Sequence, residues 1–498
     1  MQIPFGVGLL LLAKKMKFAN NYSLFLWAAL ALVPLMPNSD SIWIDEAQTW
    51  RYARQPAFAG WRAEMASDKN SESQMPLGMF SAWVGARFLG TSEWAMRAPN
   101  MLWAAGSIFI FYLLGRSLNQ PFLPLLLAVQ PYLWFYVNEA RPYALQIFSG
   151  AILLYSLYRG IQLKLRGNIW ALFFGAGAVL ACASSMLGLF STIPAVLILF
   201  YYIHKEKWPV TRAHLAIGMF FTATLFPLGL YYGSKVLQGA GGAKIWKVGI
   251  SNIAYSCLEF SGFAGLLPAR QALRAMARNS ESICSVWPSA SPRSVLAAFL
   301  ISFFLLMGIW LIKSWRQLSQ WSRSCFFFFV ASFFLLWCAA AVVHFPFWGR
   351  HLAASFPAYV CLTGAFLSRL SSKGLRGKAL VIAFFISLSA SSLFLRFSPG
   401  HAKDDYRGAA HWLLNHSKQG ETMWWAADMA AARYYGLENC TAVMNSSRDT
   451  LDRFPQPSLV ALSKPDIYDA HNAIQTWLKK NSFQQVATFQ SFTIWAAP

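Results

Sequence analysis

Charge is scarce in this chain. Asp, Glu, Lys and Arg make up 12% of its 498 residues, about half of the ~25% usual in soluble domains. Acids are scarcer still, 20 against 42 Lys and Arg. There is no P-loop pattern, so nothing in the sequence offers a nucleotide phosphate its usual cradle. None of the seven cysteines (Cys182, Cys257, Cys284, Cys325, Cys338, Cys361 and Cys440) forms a C-x-x-C or a Cys/His cluster of zinc spacing, and four lie inside apolar runs. No disulfide scaffold is implied. A Cys257–Cys284 bridge would need both on an oxidising side, and two free thiols are the plainer reading. An internal repeat and a long low-complexity tract are also missing.

Apolar sequence is what the chain has in quantity. It is 56% hydrophobic with 41 Phe and 22 Trp, and its mean hydropathy is +0.39. Runs near the ~17–20 residues that cross a bilayer recur over the first four fifths. This predicts a polytopic α-helical membrane protein of about eleven spans, near 22–37, 98–115, 121–137, 143–158, 168–187, 189–203, 214–232, 294–312, 324–343, 352–368 and 379–396. The start resembles a signal peptide, but no small-x-small site follows "LMPNSD", so 22–37 reads as a retained helix. The short segment 76–90 carries Arg87 and suits the interface better than the bilayer.

Charge distribution orients these spans. With the N-terminus cytoplasmic, the inner loops "AKKMK", "GRSLNQ", "RGIQLKLRGN", "HKEKWPVTRAH", "KSWRQLSQWSR" and "SRLSSKGLRGK" hold seventeen Lys and Arg and one acid, Glu206. The positive-inside rule demands that asymmetry. From Ser398 onward nine basic and nine acidic residues cancel, so the net +22 sits in the membrane part. That argues against a tail that binds nucleic acid.

The expected organisation is a membrane domain, 1–397, with outer loops 38–97 and 233–293, and a soluble extracytoplasmic α/β domain, 398–498. In the latter "DDYRGAAHWLLNH" and "DIYDAHNAIQTWLKK" read as helices, and "TMWWAA", "SLVALS" and "QVATFQSFTIWA" as strands. The sequons "NHS", "NCT" and "NSS" are patterns that chance often supplies.

Three constellations fall at outer loop mouths. "SDSIWIDEAQTW" puts Asp45 and Glu46 just after the first span. An acid followed three residues later by Gln suits a capping box, and a cap leaves the neighbouring carboxylate available for chemistry. "FYVNEARPYAL" places Glu139, Arg141 and Tyr143 between two spans, where charges are expensive unless paired or functional. A Glu139–Arg141 pair is the structural alternative. "HFPFWGRHLAASFP" crowds Arg350 and His351 into another short turn, and a snorkelling Arg is the alternative there. Arg97, in "SEWAMRAPNML", is a fourth candidate. An Arg fork binds phosphate bidentately and stays charged, so acids and arginines on one outer face suit a membrane-anchored phosphate beside an activated hydroxyl.

These residues and their order resemble the polyprenyl-phosphate-sugar-dependent glycosyltransferases of the GT-C superfamily, notably bacterial members related to protein O-mannosyltransferases and the lipid A aminoarabinose transferase. The likeness spans about residues 20–410. It rests on the acidic pair, "GTSEWAMRAPNMLWAAGSIFIFYLLGRSL", "NEARPYAL" and "GRHLAASFP", with a tail opening "KDDYRGAAHWL". The chain departs at "SQMPL", where relatives often carry His-Pro-Pro, and at His351, where Tyr is common. The resemblance implies Asp45 as general base, Glu46 as a group that orients the acceptor or Asp45, and Arg141 and Arg350, with Arg97 and His351, on the lipid phosphate. It implies a polyprenyl-phosphate-linked sugar as donor, a glycan, lipid or protein hydroxyl as acceptor, and the bacterial inner membrane as the location. No cofactor is required, although Asp45, Glu46 and Glu139 would suit a hard divalent cation. A flippase of lipid-linked sugars and a non-catalytic assembly partner are the competing classes. The near absence of acids within the spans disfavours the flippase.

Overall fold

The computed structural model describes residues 21–238, 249–267 and 291–498, apart from 346 and 419. The "AKKMK" loop, "GAGGAK", "ARQALRAMAR" and Cys284, with any bridge to it, lie outside these residues.

Among the described residues, eight helices are long and apolar enough to cross a membrane, from Glu93–Leu118 to Leu375–Phe397, and Tyr22–Leu35 and Ile169–Ser184 are shorter apolar helices. The expected span 121–137 is helical in two pieces, Leu123–Ala128 and Pro131–Val137. Pro131 breaks it: the preceding Gln130 is extended at φ −70°, ψ 122°, because a residue before proline is pushed out of the α region. The protein is an integral membrane protein. Leu215, Met219, Phe220, Phe226 and Leu230 of helix Arg212–Leu237 are exposed, as lipid-facing side chains are. Helix Tyr143–Gln162 is buried along almost its whole length. Gly150 makes that possible, since a side chain there would strike the Ala354 carbonyl.

Described basic loops gather at one end of the bundle. His214 Nε2 lies 3.0 Å from the Gly167 carbonyl, the Tyr158 hydroxyl donates to the Ser117 carbonyl, and Tyr202 meets Ser324. At the opposite end, Asp40 to Arg97 fold into short helices, Ile44–Ala53, Phe58–Ser67 and Pro76–Leu89, with a turn Glu93–Arg97. The Pro76–Leu89 helix packs on Ile44–Ala53. Gly78 lets it press against Pro142, beside Arg141.

The C-terminal part is an α/β unit on this second face. Its five strands, β1 (Met423–Ala426), β2 (Cys440–Ala442), β3 (Leu459–Ser463), β4 (Gln484–Phe489) and β5 (Phe492–Ala496), are ordered β2-β1-β3-β5-β4. The first three are parallel, and β3–β5 and β5–β4 are antiparallel. Two expectations need correction. "QVATFQSFTIWA" is a hairpin, turned at Ser491 with φ +68°. "DIYDAHNAIQTWLKK" is two helices, Pro465–Tyr468 and Ala473–Lys480, because Asp469 accepts the Ile474 and Gln475 amides and starts the second. Strand β2 had no clear signal in the sequence.

Candidate active site

Helix Ile44–Ala53 begins two residues earlier than the capping box at Asp45 and Gln48 suggested. Its N-cap is Trp43, and Glu46 reaches back to accept the Trp43 amide at 3.4 Å. Gln48, expected in the cap, instead donates to Asp428 at 3.0 Å. Two acids in the first turn suit the helix dipole. Because neighbours on a helix diverge by about 100°, the two carboxylates enter different surroundings.

Glu46 enters a closed one. Its Oε1 accepts Arg97 Nε and the Ala140 amide, each at 2.8 Å, and its Oε2 accepts Arg97 Nη2 at 2.7 Å and Lys403 Nζ at 2.9 Å. Burial pushes this carboxyl up, but the charges of Arg97 and Lys403 outweigh it and hold the group down at about 2. The rest of the Arg97 fork is spent on the Asn38, Asp40 and Ser41 carbonyls and on Asn38 Oδ1. Lys403 also donates to the Asn138 carbonyl at 2.6 Å. Burial and the nearby Arg97 push its ammonium down to about 8.

Asp45 faces an open one. Arg350 Nη1 donates to its Oδ2 at 3.0 Å, and the two side chains are 24% and 26% exposed. Arg141 Nη1 donates to the Asp45 main-chain carbonyl at 3.3 Å. Burial raises the Asp45 carboxyl, yet Arg141 and Arg350 together bring it below the ordinary value of 3.8. Arg141 is itself held by Glu72, which the sequence reading passed over, although it stands one residue before the departure at "SQMPL".

Buried polar atoms nearby lack partners among the described residues: Arg141 Nε, Arg350 Nε, His351 Nδ1 and Trp43 Nε1. Buried donors are rarely left unpaired in folded proteins, so this cluster marks a place for oxygen-rich matter. Tyr143, at the start of its helix, packs edge-on to Tyr136, 4.9 Å between centroids. Glu139 is buried, and its carbonyl takes the Asn100 side-chain amide.

A cavity of about 340 Å³ opens between the membrane helices and the C-terminal unit, lined among others by Trp43, Tyr136, Glu139, Lys403, Asp404 and Lys464. Asp45 and Arg350 are outside its lining. Trp43, two residues before Asp45, and Glu139, two residues before Arg141, belong to it. Lys464 is the other contribution the sequence did not reveal. Among the described residues, no group of three or more His, Cys, Asp or Glu could hold a metal ion. In the set considered for a cation, Glu46 already has both oxygens filled by nitrogen donors.

No family model matches the chain, and no curated protein matches it in sequence. Solved structures do match its shape. ArnT from Cupriavidus metallidurans bound to undecaprenyl phosphate aligns over 95% of this chain and 97% of its own, with TM-score 0.56 and 14% identity. The apo oligosaccharyltransferase of Archaeoglobus fulgidus aligns over 97% of this chain and 75% of its own, with TM-score 0.49 and 12% identity. The chain has the fold of the GT-C membrane glycosyltransferases.

Proposed function

We propose that this protein is an inverting glycosyltransferase that moves a sugar from a polyprenyl-phosphate carrier to an acceptor hydroxyl. The observation that carries the reading is the pair of arginines on either side of Asp45, each with a buried Nε–H to spare. Two guanidinium forks with unspent donors suit the phosphodiester of the donor and the lipid phosphate monoester that leaves, and a carboxylate between them suits a proton acceptor. The ArnT structure with undecaprenyl phosphate supports a lipid phosphate as the carrier's anionic part.

In this mechanism the arriving phosphate competes with Asp45 for Arg350. Asp45, freed from its partner, becomes a stronger base and takes the acceptor hydroxyl proton. The acceptor oxygen attacks the anomeric carbon, and the bond from that carbon to the phosphate oxygen breaks. The electron pair leaves on the lipid phosphate, where Arg141 and Arg350 stabilise it. Single displacement inverts the anomeric centre. Glu46 and Arg97, whose groups are consumed by each other and by Lys403, hold the Asp45 helix in place rather than touch substrate. His351 offers Nδ1 to the same anion.

The reading places the chain in a bacterial inner membrane, with residues 1–397 as the membrane domain and 398–498 as a soluble extracytoplasmic domain. The basic loops at the far end of the bundle support that orientation. A flippase would want its charged groups near mid-membrane, whereas these sit at helix ends on one face. Reconstituted membranes with a radiolabelled polyprenyl-phosphate sugar pool test the proposal. Transfer by wild type that collapses in a folded Asp45→Asn supports it. Equal transfer in both removes Asp45 from the chemistry, and labelled lipid crossing the bilayer without transfer makes the protein a flippase.

A further inference from the structure

Lys464 stands at the end of β3, where Ser463 pairs with Phe492. Its backbone is left-handed, φ +37° and ψ 73°, immediately before Pro465. That conformation is sparsely populated for residues other than glycine. Here its carbonyl accepts the Ile467 and Tyr468 amides, and its side chain, 6% exposed, turns into the cavity wall. There Nζ pairs with Asp404 Oδ2 and lies 5.8 Å from the centre of the Trp43 ring. Asp404 Oδ1 takes the Ser491 hydroxyl at 2.6 Å, so the carboxylate is fixed from the hairpin behind it. Trp43 adds a buried indole N–H without an acceptor among the described residues.

The geometry points to a saccharide subsite in this cavity, with Lys464, Asp404 and Trp43 as its recognising groups; the inference rests on the glycosyl-transfer reading. An ammonium beside a carboxylate offers a donor and an acceptor side by side. Two neighbouring hydroxyls on a sugar ring need that combination, because each can both give and take a hydrogen bond. The lining as a whole is not basic, since Asp40, Glu139, Glu259 and Asp404 stand against Arg396, Lys403 and Lys464, so it favours a neutral polyhydroxyl ring over bare phosphate. An aromatic face next to this pair suits the apolar side of a pyranose ring. The C-terminal unit would thereby contribute directly to substrate selection.

The test uses the full chain in lipid nanodiscs with methyl α-glucopyranoside and its manno and galacto epimers as probes, read by saturation-transfer NMR. At least one epimer is expected to bind wild type, with affinity at least tenfold weaker in Lys464→Met and Trp43→Phe and restored in part by Lys464→Arg. A second readout needs no variant: saturating glycoside should slow acetylation of Lys464, followed by mass spectrometry, at least tenfold. Failure of all three epimers to bind, equal binding by Lys464→Met, or unprotected acetylation overturns the subsite. Label carried from the lipid donor onto the methyl glycoside identifies the acceptor's ring as its occupant; inhibition of transfer without labelling identifies the donor's, and both keep the subsite. If wild type transfers no sugar from the lipid donor, the glycosyl-transfer reading fails while glycoside binding still reports on Lys464.

Discussion

Arg97 and Glu46 form a two-pronged pair, Nε to Oε1 at 2.8 Å and Nη2 to Oε2 at 2.7 Å, with no side-chain surface of either exposed. Removing Arg97 leaves the buried Glu46 carboxylate with Lys403 as its remaining counter-charge. Arg97→Met is therefore expected to cost about 3–5 kcal/mol, seen as a lower unfolding temperature in detergent. The double variant Arg97→Met with Glu46→Leu should lose less than Arg97→Met alone. If the single variant unfolds like wild type, the pair does not hold the frame.

The same pair sets a pH response. Glu46 falls from an ordinary 4.5 to about 2 in the folded protein, which corresponds to about 3 kcal/mol. A depressed carboxyl contributes this stability above its unfolded value and loses it as pH falls from 4.5 toward 2. Unfolding temperature followed through that window should drop, and Glu46→Gln should flatten the part of the drop due to this group.

Asp45 gives a kinetic counterpart. Its folded value lies below 3.8 because Arg141 and Arg350 outweigh burial. Sugar transfer should persist to correspondingly low pH in wild type. Arg350→Gln should move the acid limb upward and lower kcat/KM by about 10²–10³, the usual loss for one donor to a developing oxyanion. An unmoved limb with lowered rate would assign Arg350 to the phosphate alone.

Gly349 precedes Arg350, and a methyl group there would strike the Glu259 carboxylate. The Tyr132 hydroxyl also donates to the Gly349 carbonyl at 2.8 Å. Gly349→Ala should displace the turn that aims Arg350 and reduce transfer at least tenfold, while the far end of the bundle keeps its fold. Donor KM and circular dichroism, measured together, separate displacement from unfolding.

Much of this architecture could be read from the chain because membrane helices are local objects. An apolar run announces itself, and basic loops announce their side. Where local chemistry competed, the reading slipped: Pro131 divided one run, Asp469 divided a helix, and Ser491 turned one strand into two. Asp45, Arg141 and Arg350 were visible as charges in places where charge is costly. Their arrangement was not, because Asp45 and Arg350 stand 305 residues apart. Arg97 looked like a phosphate ligand until Glu46 was seen to occupy it. Glu72, Lys403 and Lys464 carried no local signal, since an ordinary acid or lysine gains meaning only from what it meets across the fold.

The C-terminal unit closes a cavity whose other walls come from the first third of the chain, from residues 255–267 and from the end of helix Leu375–Phe397. Lys403 and Lys464 are therefore made after every membrane helix described. A chain cut short after its final membrane helix would hold Asp45, Arg141 and Arg350 but lack one wall. The cavity is thus complete only once the C-terminal unit has been made and has folded against the membrane helices.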